Sequence, residues 1–263
     1  MKSNEELKKE LKLRDRVVRV LVKDKQIRAI AIKNTQTAIT AQKNHNLEFV
    51  PATLLAKLLA ATSMVASTLK GEERVSVETN SNGFITKLFA EALKVGEVRG
   101  YAVQSQDIDL SEVTTNDFLG VGLLTISKVL YNKAEPVTGI IELRTGDIAT
   151  DMAYYFTQSE QIPTSVILDV QVDENGMILH SGGIIVQALP GASDEDLSII
   201  VNNLQNINRF SEYLENDKTP EEIISEILPY DYELMDSTQV DFCCRCSKDK
   251  FINSLVTFPH KMI

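Results

Sequence analysis

Residues 50–69 read VPATLLAKLLAATSMVASTL. Leu55, Leu58, Leu59, Thr62, Val65, Ala66 and Leu69 recur at helical spacing. Pro51 suits the first helical position and Gly71 the position past the end. Ala56, Ala60 and Ala61 keep the other faces small. A helix that is apolar on one side and small on the others can be packed closely from more than one direction. The run also contains Lys57, Thr53, Thr62, Ser63, Ser67 and Thr68, whereas a bilayer asks for about 20 nearly uninterrupted apolar residues. The stretch therefore reads as a buried core helix and not as a membrane span.

The flanking sequence supplies what this helix would pack against. Upstream, the β-branched runs Val17–Val22 and Ile27–Ile32 are separated by Lys23, Asp24, Lys25 and Gln26, the pattern of a hairpin. Thr35–Asn44 reads as a short helix. Downstream, strands are expected at Arg74–Glu78, Ile85–Ala90, Val98–Val103, Val121–Ile126 and Thr138–Leu143, with Asn82-Gly83 turning the first pair. Asp147–Ser159 reads as a helix. Val166–Val172 and Met177–His180 flank Glu174-Asn175-Gly176, a hairpin turn in which Asn-Gly readily takes positive φ. Gly182-Gly183 is expected to open a separate strand, Ile184–Leu189.

The pattern changes after Pro190. Ser193 precedes Asp194, Glu195 and Asp196, a cap with acids in the first turn. Leu197, Ile200, Val201, Leu204 and Ile207 follow at helical spacing. Thr219, Pro220, Glu221 and Glu222 form a capping box, continued by Ile223, Ile224, Ile227 and Leu228. The chain is thus expected to be α+β. Residues 1–192 would form a body of antiparallel sheets with packed helices, 193–236 an all-helical region, and 237–263 a short C-terminal segment; the family resemblance given below implies that the second is a linker and the third an incomplete redox or zinc segment.

Composition narrows the function. The chain has 263 residues and 27 basic against 37 acidic side chains. A net charge of −10 argues against general nucleic-acid binding, which needs concentrated Lys and Arg. Lys8, Lys9, Lys12, Arg14 and Arg16 are interspersed with Glu5, Glu6, Glu10 and Asp15, the pattern of a solvated face. The N-terminal residues show no apolar signal-peptide core. All three cysteines fall at Cys243, Cys244 and Cys246, unlike the dispersed cysteines of a disulfide framework. A reducing, cytoplasmic setting is expected.

Catalytic patterns are sparse. His45, His180 and His260 lie in no zinc-protease spacing. No nucleophile elbow or phosphate loop occurs, and Gly120-Val121-Gly122 lacks the third glycine of a dinucleotide site. Asp241-Phe242-Cys243-Cys244-Arg245-Cys246-Ser247 is the sharp feature. Side chains two apart on an extended run share a face, so Cys244 and Cys246 can approach one ion. Structural zinc wants four thiolate or imidazole ligands, so this is half a site, with Cys243 and distant His260 as further donors. The alternative is a thiol group that binds no metal. Arg245, Lys248 and Lys250 would favour reactive thiolates. Joining adjacent Cys243 and Cys244 would strain the bridge.

Val240–Lys250 also resembles the start of the zinc segment of the thirty-three-kilodalton redox-regulated heat-shock chaperone family, whose pattern is Phe-x-Cys-x-Cys-Ser. Val98-Arg99-Gly100-Tyr101, Tyr155–Thr164, Gly182–Ala192 and the helix Leu58–Lys70 are similar to other parts of that family, so the likeness spans Asp15–Val256. The resemblance implies a non-enzymatic, ATP-independent holdase that binds unfolding client proteins. It also implies zinc on reduced thiols, activation by oxidation, and an active homodimer. Cys244 and Cys246 fall on the family's Cys-x-Cys pair, as metal ligands and redox-active thiols, with Cys243 an extra thiol. The family's later Cys-x-x-Cys pair is absent, so the expected switch is incomplete and the holdase poorly repressed. The competing readings are a thiol-exchange enzyme, or a metal- or partner-binding scaffold, using Cys243–Cys246.

Overall fold

The structure is a computed structural model that describes residues 14–106 and 118–244, together with Ile252. Strands β1 (Arg16–Val22) and β2 (Ile27–Lys33) form the expected hairpin, with a single 3-10 turn at Lys23–Lys25. Helices α1 (Thr35–His45) and α2 (Phe49–Ala66) follow, then β3 (Arg74–Ser81), β4 (Ile85–Leu93), β5 (Glu97–Gln104), β6 (Gly122–Val129) and β7 (Val137–Glu142). Helix α3 (Ile148–Ser159) leads to β8 (Thr164–Val172) and β9 (Ile178–Ala188). Helices α4 (Asp194–Gln205), α5 (Ser211–Glu215) and α6 (Pro220–Ile227) precede β10 (Glu233–Gln239) and β11 (Asp241–Phe242).

Two sheets result, ordered β10-β1-β2-β9-β8 and β11-β5-β4-β3-β6-β7. Every pairing is antiparallel except the short β11–β5 contact. The fold is therefore α+β, as expected. Helix α2 lies between the sheets and is buried on nearly every face. Val17, Ile30, Ile32 and Ile185 reach it from the first sheet. Val75, Val77, Leu88, Ala90, Val98, Leu124 and Ile126 reach it from the second. This is why both its leucine side and its alanine side are apolar or small.

Its ends differ from the sequence reading. Helix α2 begins two residues before Pro51, which still falls within the first turn, where backbone N–H groups have no helical partner. It stops at Ala66, short of Gly71, because the last turn is rich in hydroxyls. Thr62, Ser63, Ser67 and Thr68 donate to the carbonyls of Leu58, Leu59, Met64 and Val65 at 2.7–2.8 Å. Such local bonds compete with helix propagation.

Strand β9 corrects another boundary. The glycines at 182 and 183 do not separate two strands; they lie inside one. A Cβ at Gly182 would stand 2.5 Å from the Ile32 carbonyl oxygen, and one at Gly183 would stand 2.4 Å from that of Ile167. They permit close approach of both neighbouring strands, a use of glycine that local sequence cannot distinguish from a break. Beside them Ser181 Oγ donates to Asn34 Oδ1 at 2.8 Å, and Asn34 Nδ2 donates to the Ala56 carbonyl at 3.1 Å. This buried network ties β9 and the start of α1 to α2.

The stretch 193–236 is helical through Ile227, as its caps require. From Glu233 it is extended, and β10 runs across residues 236 and 237 because the free edge of β1 supplies backbone partners from Arg16 to Leu21.

Candidate functional site: the helical cap and the thiol strand

The outer face of the first sheet carries Val18, Val20, Val22, Ile27, Ala29, Ala31, Ile184 and Val186, all buried. Helices α4–α6 cover it. Ile200 and Leu204 come from α4, Phe210 and Leu214 from the α5 region, and Ile223, Ile224, Ile227 and Leu228 from α6 and its end. Of the stripes read in the sequence, Ile200, Leu204, Ile223, Ile224, Ile227 and Leu228 thus face the sheet, whereas Val201, expected among them, does not. Ile199 and Val201, on the opposite side of α4, remain exposed.

Local chemistry sets each helix in place. Ser193 Oγ accepts from Asp196 N at 3.1 Å and caps α4. Thr219 and Glu222 form a reciprocal capping box at α6: Thr219 N donates to Glu222 Oε2 at 2.7 Å and Glu222 N to Thr219 Oγ1 at 3.3 Å. The cap is tied to the body at few polar points. Lys25 Nζ lies 3.0 Å from Asp196 Oδ1, and the Tyr230 hydroxyl donates to the same oxygen at 2.9 Å. Ser193, then Lys25 and Tyr230, bond to this carboxylate and hold its pKa below the usual range. Ser211 N donates to Asp169 Oδ2 at 2.9 Å, and Arg16 pairs with Glu221.

The thiols emerge from a different part of the molecule. Strand β10 belongs to the first sheet, and β11, one residue later, belongs to the second. The crossing residue Val240 is buried. Its N–H donates to the Asp15 carbonyl at 3.0 Å and its own carbonyl accepts from Thr37 Oγ1 at 3.4 Å. The Asp15 carboxylate accepts from Thr37 N at 2.6 Å, so it caps α1 from twenty-two positions away, where Asn34 offers no side-chain cap. Burial pushes this carboxyl up to about 6, against the bonds from Thr37 and Gln36 and the charge of Lys33. Gly96, at φ +92°, lets the β4–β5 turn meet the crossing: a Cβ there would lie 1.8 Å from the Gln239 carbonyl oxygen. Lys94 of that turn pairs with Asp236.

Cys243 N donates to the Val98 carbonyl at 2.8 Å, extending the β5 pairing by one residue. The Cys243 side chain is half-buried and lines a cavity of about 250 Å³ with Arg74, Glu91, Leu93, Glu97, Val98 and Arg99. Cys244 is exposed, and neither thiol is in a disulfide. Cys246, Arg245, Lys248, Lys250 and His260 lie outside the described residues. Among the described residues no three His, Cys, Asp or Glu side chains are grouped to hold a metal. Cys243 faces a cavity rimmed by two guanidinium groups, whereas Cys244 faces solvent. His180 stands apart from them, on β9, and burial holds its pKa below the ordinary imidazole value. His45 packs edge-on against Phe242 beside the thiol strand, a contact that sequence spacing could not show.

The model of the family described as Hsp33 protein matches residues 15–263. A 33 kDa chaperonin of Desulforamulus reducens is 35% identical over 250 residues, covering 93% of this chain and 84% of the relative. That of Bacillus pumilus is 34% identical over 248 residues, covering 92% and 85%. The crystal structure of the 33 kDa chaperonin of Thermotoga maritima has the same fold, with a TM-score of 0.83 and 24% identity, covering 94% of this chain and 86% of that one. With a family model and relatives of this identity matching nearly the whole described fold and the thiol strand that follows it, the chain belongs to the Hsp33 family of chaperones.

Proposed function

We propose that this chaperone is an ATP-independent holdase whose client surface is the outer face of the first sheet, together with the stripes of α4–α6 that cover it. The supporting observation is the cap: eight buried apolar residues of β1, β2 and β9 are shielded by three short helices held through few polar ties. Helices of this length are marginal by themselves, so their persistence rests on this packing. Lifting them would expose two complementary apolar surfaces at once, and large contiguous patches of that kind bind unfolded chains. The chemistry is stoichiometric holding, with no catalytic step.

The redox-active pair is assigned to Cys244 and Cys246, which would also hold zinc in the reduced state. They supply half of the four ligands that structural zinc takes. The proposed setting is the bacterial cytoplasm, and the proposed active form is a homodimer.

Light scattering of a heat-unfolded client tests the reading, with the protein reduced in the presence of zinc, then peroxide-treated, and with bound zinc quantified. Suppression of aggregation without ATP is expected, rising after peroxide as zinc leaves. Equal protection in both redox states would overturn the assignment of Cys244 and Cys246 as the redox-active pair. Failure to protect several unrelated clients would overturn the holdase reading in favour of a scaffold. Turnover of a small disulfide substrate would favour a thiol-exchange enzyme.

A further inference from the structure

The face of the first sheet that looks toward the second carries two arginines in an unusual state. In β1–β2 the register pairs Arg19 with Ile30 and Leu21 with Arg28, so Arg19 and Arg28 are diagonal neighbours on one face. Both are half-buried. Among the described residues the Arg19 guanidinium makes no hydrogen bond or ion pair, and its Nε is fully shielded from solvent with no acceptor. Arg28 donates through Nε and Nη2 to a single neutral acceptor, Gln187 Oε1, at 3.0 and 2.6 Å. It has no carboxylate partner among the described residues.

The nearest acids are already engaged. Asp236, opposite Arg19 on β10, is paired with Lys94. Glu160, which acts on Arg28 from the end of α3, is paired with Lys128. Among the described residues neither guanidinium thus has a carboxylate of its own, and Arg28 feels only the shared charge of Glu160. Burial, and then the charge of Arg19, lower the pKa of Arg28. A charge partly withdrawn from water without a counter-ion of its own favours an anionic partner.

We propose that Arg19 and Arg28 form an anion site for a phosphate-type oxyanion, free or carried by a nucleotide. Guanidinium forks match such oxyanions bidentately, and a dianion would balance both charges. Gln187 holds Arg28 in position and is itself fixed by donating to Thr164 Oγ1 at 3.2 Å. Bound there, the anion would stabilise the folded body by mass action.

The experiment is thermal unfolding of the full chain in chloride buffer at fixed ionic strength, titrated with inorganic phosphate and, separately, with ADP. A saturable rise in melting temperature is expected, with R19Q and R28Q shifting the titration at least about tenfold to higher ligand concentration. Response to inorganic phosphate marks a free oxyanion as sufficient; response to ADP alone marks a nucleotide. R19Q keeps the test decisive if R28Q does not fold, because Arg19 has no bond to lose. No response to either compound beyond the chloride control, or an unchanged response in R19Q, would overturn the site.

Discussion

The two sheets share one core helix yet differ in what covers their other faces. In the second sheet, β3 alternates, with Val75 and Val77 inward and Ser76 and Glu78 outward, and β4 alternates from Lys87 onward, past an irregularity after Ile85. That outer face carries Arg99, Glu91, Lys87 and Glu78 among exposed apolar side chains such as Tyr101, Leu123 and Ile140. The first sheet reads differently: β2 is IRAIAIK, buried at nearly every position, and β9 is buried continuously from Ser181 to Gln187. A sheet with one solvated face alternates, whereas one covered on both faces reads as a near-continuous apolar run. The first sheet has therefore been built to be covered, and α4–α6 are the cover. A face of this composition is tolerable only while the cap sits on it.

The sharpest way to break the comparison is to unseat the cap. Phe210 is fully buried and packs with Tyr213 at the centre of the contact. F210A is expected to cost about 3–5 kcal/mol. On the proposed holdase reading the cap opens independently of the body, so hydrogen exchange should accelerate in α4–α6 before β3–β6, and client protection should rise. Uniform acceleration across both sheets would show that cap and body unfold as one unit.

A comparable loss without gain of client binding is expected from D151A, on the side of the second sheet. Asp151 is fully buried and accepts from the backbone N–H groups of Arg144, Thr145 and Gly146 at 2.9–3.1 Å. Orphaning these donors should cost roughly 2–4 kcal/mol in denaturant unfolding, less than three times the about 1–3 kcal/mol of a fully buried group, because Arg144 and Thr145 are exposed and can turn to water. An equal rise in client protection would show that any destabilisation, and not cap release, exposes the client surface.

Asp15 couples α1 to the crossing strand, and its behaviour is pH-dependent. Its folded pKa is raised to about 6 from an ordinary value of 3.8. Its favourable contribution is therefore fully present below the unfolded value and is lost as pH rises through about 6. On the order of 3 kcal/mol is at stake. D15N should flatten the stability curve between about pH 4 and pH 6.5 relative to the parent, measured by denaturant midpoints. Parallel curves for the two proteins would rule out Asp15 as the source.

A smaller effect sharpens the picture of the cap. T219A removes one half of the capping box and should cost about 1 kcal/mol, read out as faster exchange confined to α6. Substituting Ile140 by Ser on the open face of the second sheet, where it is 57% exposed, should change stability by no more than about 0.5 kcal/mol.

Much of this architecture was legible in the chain itself. The central helix, the β1–β2 hairpin, the caps at Ser193 and Thr219 and the confinement of the thiols to residues 243–246 all follow from local signals. These are 2.0- and 3.6-residue periodicity, capping chemistry and residue identity, each acting over a few positions. Other features needed the tertiary structure. They include the continuity of β9 through Gly182 and Gly183, the passage of β10–β11 from one sheet to the other, and the capping of α1 by Asp15. The diagonal juxtaposition of Arg19 and Arg28, and the burial of the α4–α6 stripes against β1, β2 and β9, belong with them. Each rests on partners brought together by folding, and packing, remote hydrogen bonds and juxtaposed charge have no expression at the level of neighbouring residues.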